Sequence, residues 1–277
     1  KSFDSYYYIP ITRLRILGTG NAQAVECYNT CLAIENENGT MIVDAGGGNG
    51  ILKILERENI ELSNIHDIFV THAHSDHIFG IFWLIRRIGE TMNKGKMDGI
   101  LTLYAHKELA DFIIYVSKTI LPNKVTSLFG DRIIFSIHED RDERTIIGNK
   151  FTVFDLGSTK MKQFGFRMEY EGAKVFVDPG DEPLSERNYD LAKNADWMAH
   201  EAFCTYEDRE RFKPYEKHHS TAMDAGRLAE SLSVKNLILY HTEDKTLATR
   251  KERYTKDAEK GFSGNIFVPD DGESFIL

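Results

Sequence analysis

The segment His72-Ala73-His74-Ser75-Asp76-His77 limits this chain more than any other feature. It gathers three imidazoles and a carboxylate in six residues, although His makes up only 10 of the 277 residues. A chain of this composition would produce such a cluster by chance roughly once in a thousand. It also lies at a junction. Ile68-Phe69-Val70 before it reads as a short buried strand, and Ile78 to Gly89 after it has an apolar face at helical spacing, interrupted by Arg86 and Arg87. Imidazole nitrogens and carboxylate oxygens are ligands for zinc, iron and manganese, so this strand-to-helix loop predicts a metal centre. A purely structural zinc site usually recruits thiolates, and Cys27, Cys31 and Cys204 form no CxxC pair. They read as reduced thiols of the core.

The rest of the chain predicts an α/β protein in which strands and helices alternate from end to end. Expected strands are Arg13 to Leu17, a hairpin of Asn29 to Glu35 with Thr40 to Val43, Leu101 to Tyr104, Ile133 to Ile137, Phe151 to Leu156, Phe164 to Tyr170, Lys174 to Val177, Trp197 to His200 and Leu237 to Tyr240. Expected helices are Asn49 to Glu58, Lys107 to Ile120, one after Pro183, one from about Thr221 with Ser220 as its N-cap, and Leu247 to Lys260. Strands followed by helices in each half predict two sheets packed face to face with helices outside. No linker or repeat divides residues 1–277, so a single domain is expected. The longest apolar run, Ile78 to Ile85, is too short to cross a bilayer, and the polar start Lys1-Ser2-Phe3-Asp4 does not read as a signal peptide, which makes the cytoplasm the default location. A net charge of −9 gives a nucleic-acid partner no support from a global field, so any polyanion would need a local patch.

At this point the sequence resembles the metallo-β-lactamase fold hydrolases, whose His-x-His-x-Asp-His signature stands here as His72, His74, Asp76 and His77. It is similar to the ribonuclease Z branch along most of its length. Leu17-Gly18-Thr19-Gly20-Asn21 resembles that branch's opening turn, and Gly165-Phe166-Arg167 leads a strand pair into Asp178-Pro179-Gly180-Asp181. His200-Glu201-Ala202-Phe203, His219-Ser220-Thr221 and Leu239-Tyr240-His241 resemble three later motifs, in the branch's order. The resemblance implies a metallo-β-lactamase-like four-layer αββα sandwich, two divalent cations (zinc first, manganese or iron as alternatives), a homodimer, and phosphodiester hydrolysis by a metal-activated hydroxide. Carried over by position, His72 and His74 hold one cation, Asp76, His77 and His241 hold the other, and Asp181 bridges them, with Asp178 the alternative bridge. Asp76 thereby also counts among the catalytic residues. Asp44 braces the ligand loop or stabilises its own Gly-rich turn. His219 is the general acid, oriented by Glu201; the plain alternative is a helix-capping surface histidine.

Two departures from the family pattern bear on function. Counting back from Gly165, the family's third histidine for the first cation falls on Ser158, and the segment Leu156 to Gln163 contains no histidine, so the first site is expected to be the weaker. Lys160 and Lys162 on that loop are candidate phosphate contacts or plain solvated charges. The Gly/Pro-rich basic arm that bacterial ribonuclease Z uses on transfer RNA is also absent after Ile88, where only Lys94 and Lys96 stand. The leading reading is therefore a ribonuclease Z-like phosphodiesterase. The alternatives are a same-fold hydrolase of another ester (small phosphoester, thioester or lactone) and a catalytically weak relative that binds nucleotide or metal. His66, His106, His138 and His218 match no motif and read as ordinary surface or satisfied histidines.

Overall fold

A computed structural model describes residues 11–277; Lys1 to Asp4, and with them the start of the expected 1–277 unit, lie outside the described residues. The first sheet contains β1 (Arg13–Gly18), β2 (Cys31–Asn36), β3 (Gly39–Val43), β4 (Ile65–Phe69), β5 (Leu101–Ala105) and β6 (Ile133–Ile137). The second contains β7 (Glu143–Ile146), β8 (Asn149–Asp155), β9 (Phe164–Tyr170), β10 (Lys174–Asp178), β11 (Trp197–Glu201), β12 (Asn236–Tyr240) and β13 (Asn265–Phe267). A last strand, β14 (Ser274–Ile276), returns to the first sheet beside β1. The sheet orders are β14-β1-β2-β3-β4-β5-β6 and β13-β12-β11-β10-β9-β8-β7.

Period-two alternation builds the layers, because successive side chains of a strand point to opposite faces. Leu14 and Ile16, Leu32 and Ile34, and Met41 and Val43 face the other sheet, where they meet Phe151, Phe166, Phe176, Ile238 and Tyr240. The alternate residues Ala33, Ile42, Ile68 and Leu103 turn outward, under the helices Gly50–Arg57, Ser75–Asn93 and Lys107–Ile120. On the far side Val177, Met198, Leu237 and Leu239 pack under Ala222–Ser231 and Arg250–Ala258. This is the four-layer αββα arrangement of the metallo-β-lactamase fold, with both sheets inside.

Short edge elements escaped the sequence. β7, β13 and β14 have three or four residues each, too few to show a period. The helix from Ala222 starts one residue later than expected: Thr221, not Ser220, is its N-cap and closes a capping box with Asp224. Ser220 instead donates its backbone N–H to Glu201 at 2.6 Å. Cys31 and Cys204 are core residues as expected, whereas Cys27 is only half-buried.

β3 to β6 run parallel, and so do β10 to β13. The loops that follow their carboxyl ends therefore gather along one rim, where ligands bind in sheets of this kind.

Candidate metal centre

Every residue of the expected site lies on that rim. Asp44 follows β3, His72 to His77 follow β4, Asp178 to Asp181 close β10, Glu201 ends β11 and His241 follows β12. The helix Ser75–Asn93 begins inside the histidine cluster, so Asp76 sits in its first turn, where the helix dipole favours a carboxylate. Gly80 lets that helix approach closely. A Cβ there would stand 1.9 Å from the Ala45 carbonyl oxygen, while the Gly80 N–H donates to Gly46 O at 2.9 Å. Asp44 fixes the geometry from the other side: its carboxylate accepts from Thr71 N at 2.8 Å, from Thr71 Oγ1 at 2.6 Å and from His77 Nδ1 at 2.6 Å. The last bond places the His77 proton on Nδ1 and turns Nε2 toward the cluster.

The donor atoms converge in two groups, His72 with His74 and Asp181, and Asp76 with His77 and His241. Asp181 Oδ2 reaches both, at 3.4 Å from His72 Nε2, 3.9 Å from His74 Nδ1, 3.4 Å from His77 Nε2 and 3.7 Å from His241 Nε2. Asp76 Oδ2 lies 3.3 Å from His77 Nε2 and 3.5 Å from His241 Nε2. Donors held about 2.0–2.1 Å from a tetrahedral cation stand about 3.3 Å from one another, so these spacings fit divalent cations. The buried Nε2 atoms of His77 and His241 and Oδ1 of Asp181 have no hydrogen-bond partner, as expected of groups that face a cation. Burial alone would raise both carboxyls, yet the surrounding imidazoles hold Asp76 and Asp181 well below the usual range, so both are anionic.

The alternative bridge, Asp178, is occupied elsewhere. It accepts from Tyr240 Oη at 2.6 Å and Gly180 N at 3.0 Å, and burial pushes its pKa up to about 6. His241 has φ 56° and Asp44 has φ 56°, left-handed backbone that costs a non-glycine residue about 1–3 kcal/mol. The surroundings impose it at His241. Thr242 N donates to Thr19 O and Asn21 N to Thr242 O, both at 2.9 Å, and the buried Arg250 holds the Thr19 and Thr242 hydroxyls at 3.0 and 2.9 Å. Arg250 carries no motif and escaped the sequence reading.

A cavity of about 550 Å³ opens over the cluster, lined by His74, Asp76, Asp181 and His241 on its floor and by Asn21, Gln23, Lys160, Glu182, Lys217 and His219 on its walls. His219 Nδ1 stands 3.5 Å from Glu201 Oε2, and its ring stacks on Phe203 at 5.0 Å. Burial opposes protonation of His219, but Glu201 outweighs it and the pKa is raised. The two loop lysines part company. Lys160 lines the cavity, whereas Lys162 lies 3.7 Å from Glu108 and over the Phe164 ring. Ser158 is half-buried and bonds to Glu182 at 2.8 Å. His218 is exposed, and His66 bonds to the Ile100 carbonyl at 2.8 Å. His106 is buried and pairs with Glu108 at 2.9 Å. His138 corrects the sequence expectation outright, since it is 1% exposed with both ring nitrogens unpartnered.

The comparisons with known proteins agree with this fold. A family model described as Anti-Pycsar protein Apyc1 matches residues 12–262. Among relatives, Ribonuclease Z of Listeria monocytogenes is 27% identical, covering 89% of this chain and 91% of its own, and Ribonuclease Z of Natronomonas pharaonis is 24% identical, covering 95% and 96%. Among solved structures, the metallo-β-lactamase fold protein YhfI from Bacillus subtilis superposes with a TM-score of 0.73 at 17% identity, over 97% of this chain and 99% of its own. Human tRNase Z, short form, gives 0.72 at 19% identity, over 95% and 98%. Such low identities in the solved structures speak for the fold alone. With a family model spanning nearly the whole chain and two donor clusters meeting at Asp181, the chain belongs to the Anti-Pycsar protein Apyc1 family and is a ribonuclease Z-like, metal-dependent hydrolase of the phosphodiesterase type.

Proposed function

We propose that the protein hydrolyses small phosphodiesters at a centre of two divalent cations, zinc in the first instance, and that His72, His74, Asp76, His77, Asp181 and His241 are their ligands. The observation that carries this reading is Asp181 Oδ2, one anionic atom within 3.9 Å of donors from both clusters. When bound, such a pair of cations makes water nucleophilic near neutral pH and neutralises charge on a phosphoryl group. The protein's own residues do the rest. Asp181 holds the two donor sets in register, and Asp44 keeps the His77 lone pair turned inward. His219, on the cavity wall, donates a proton to the leaving oxygen, and Glu201 keeps that proton available by raising the imidazole's basicity.

The small size of the substrate is inferred from two features. The helix Ser75–Asn93 is followed within a few residues by β5 at Leu101, which leaves no length of chain for a projecting RNA-binding arm at that point. The cavity is the size of a small-molecule site, and Lys160 and Lys217 on its wall pair with no carboxylate among the described residues; their ammonium groups donate to the Lys217 and Phe212 carbonyl oxygens, which leaves their charge for a phosphate. A second copy of the chain is the partner we propose. Among the described residues no helix is long and apolar enough to cross a membrane, and the free thiols of Cys27, Cys31 and Cys204 suit our reading of a reducing, cytoplasmic setting.

The test is turnover by zinc- or manganese-loaded protein on bis(4-nitrophenyl) phosphate, a dinucleotide and a precursor transfer RNA, beside a thioester and a lactone. Phosphodiesters hydrolysed with the dinucleotide preferred is the expected result. Preference for the thioester or lactone, or failure to bind any divalent cation, overturns the reading, and a preference for the precursor RNA overturns the small-substrate part.

A further inference from the structure

The first donor cluster is incomplete. His72, His74 and Asp181 supply three donors, and the sequence position at which the family order calls for a further imidazole carries Ser158. The Ser158 hydroxyl oxygen accepts backbone N–H groups from Lys160 at 3.2 Å and Met161 at 3.4 Å, which directs its own proton outward, and it donates at 2.8 Å to Oε1 of Glu182. Glu182 directly follows Asp181, is 9% exposed and lines the same cavity as His74 and Asp181. Among the described residues Ser158 is its one side-chain hydrogen-bond partner, and no cationic side chain pairs with it. A carboxylate withdrawn from water without a cation is unfavourable, and one beside an open metal position has an obvious remedy.

We propose that Glu182, steered by Ser158, is the further donor of the first metal position, an anionic substitute for the missing imidazole. The inference rests on the two-cation reading above. Glu182 stands outside the groups of atoms that already lie within 4.8 Å of one another, so its side chain would have to rotate to bring Oε2 to the cation while Oε1 keeps the Ser158 proton. Ligating carboxylates are commonly hydrogen-bonded in this way by a second residue. Two carboxylates, Asp181 and Glu182, also change the character of the position. An oxygen-rich donor set suits manganese better than an imidazole-rich one does, so with Glu182 in place of an imidazole the first position should accept manganese more readily than the same position would with a third imidazole.

The experiment is a calorimetric titration of zinc, and separately of manganese, into the metal-free full-length protein, with a competing chelator. The wild type should bind two cations per chain, one more loosely. Glu182→Gln should weaken the looser cation about 10–100-fold and leave the tighter one unchanged; Ser158→Ala should weaken it less. Ser158→His in the Glu182→Gln background should recover the zinc affinity but not the manganese affinity. Thermal unfolding of metal-free Glu182→Gln should match or exceed the wild type, which separates a ligand from a structural group. Unchanged affinities in Glu182→Gln, or an equal fall at both sites with a lower metal-free melting point, overturn the proposal. A wild type that binds no cation overturns the two-cation reading instead.

Discussion

The two donor clusters share Asp181 and differ in everything around it. In the second, His77 and His241 are 1% and 2% exposed and Asp76 is 6% exposed. His77 is locked from behind by Asp44, and His241 is held in left-handed backbone by the Thr19, Thr242 and Arg250 bonds. In the first, His72 is fully buried but the His74 side chain is 36% exposed. The lesson is a division of labour. Donors fixed before the cation arrives lose little freedom when it binds, so the second position should hold its cation tightly. Both clusters border the cavity, the first through His74 and the second through Asp76 and His241, and the first, with the more exposed His74, should exchange its cation more readily.

The harshest way to break this comparison is to delete donors one side at a time. Asp76→Ala or His77→Ala should abolish hydrolysis, by at least ~10⁴-fold, and remove the tighter cation with little loss of folding, because these side chains serve the ion rather than the core. His74→Ala should remove only the looser cation. Metal content measured on each purified variant decides the matter: equal loss of both cations from every variant would mean one cooperative centre rather than two unlike positions. Next in size is His219→Ala, for which we expect ~10²–10⁴-fold slower turnover of substrates with poor leaving groups and little change on nitrophenyl esters, since an activated leaving group needs no proton. Equal losses on both would make His219 a positioning residue.

Gly80→Ala sharpens the comparison from the side of the scaffold. The new methyl meets the Ala45 carbonyl, and shifting the helix to relieve it moves Asp76 and His77, so we expect a loss of about 2–3 kcal/mol in denaturant unfolding, with the tighter cation weakened more than the looser. The smallest effect concerns the frame beneath the first cluster. His138 stacks on Phe69 and meets Phe164 edge-on, and burial lowers its pKa to about 3 against an ordinary imidazole value near 6.5. Above pH 6.5 the group costs nothing. As pH falls below it, the unfolded chain takes up a proton that the folded chain refuses, and stability drops. Between pH 7 and 5.5 the wild type should lose about 1.2 kcal/mol more than His138→Phe. Equal pH dependence in the two proteins would show that His138 finds a proton acceptor in the folded state.

Much of the centre was legible because it is local. His72, His74, Asp76 and His77 share one loop, and a loop between a buried strand and an amphipathic helix declares itself by the change of period from two to 3.6. Asp181, His219 and His241 were placed through the order of later motifs, each weak alone. Glu182 was not legible, since it is one more acid beside a proline, and what distinguishes it is that Ser158, from another loop, comes to lie against it. Arg250 and Gly80 were hidden for the same reason. Their neighbours Thr19, Thr242 and Ala45 are remote in sequence, and only packing shows that a buried guanidinium pins one ligand and a missing side chain admits another.

The sequence by itself therefore determined most of the strands and helices, the two packed sheets and a donor set fit for a divalent cation, because periodicity and donor chemistry are properties of neighbouring residues. Tertiary structure decided which carboxylate stands between the two clusters, which lysine lines the cavity, and what occupies the place of the absent histidine. Those outcomes depend on where the carboxyl ends of β3, β4, β10 and β12 meet, and that meeting is fixed by how two twisted sheets bury Leu14, Phe166, Ile238 and their neighbours against each other.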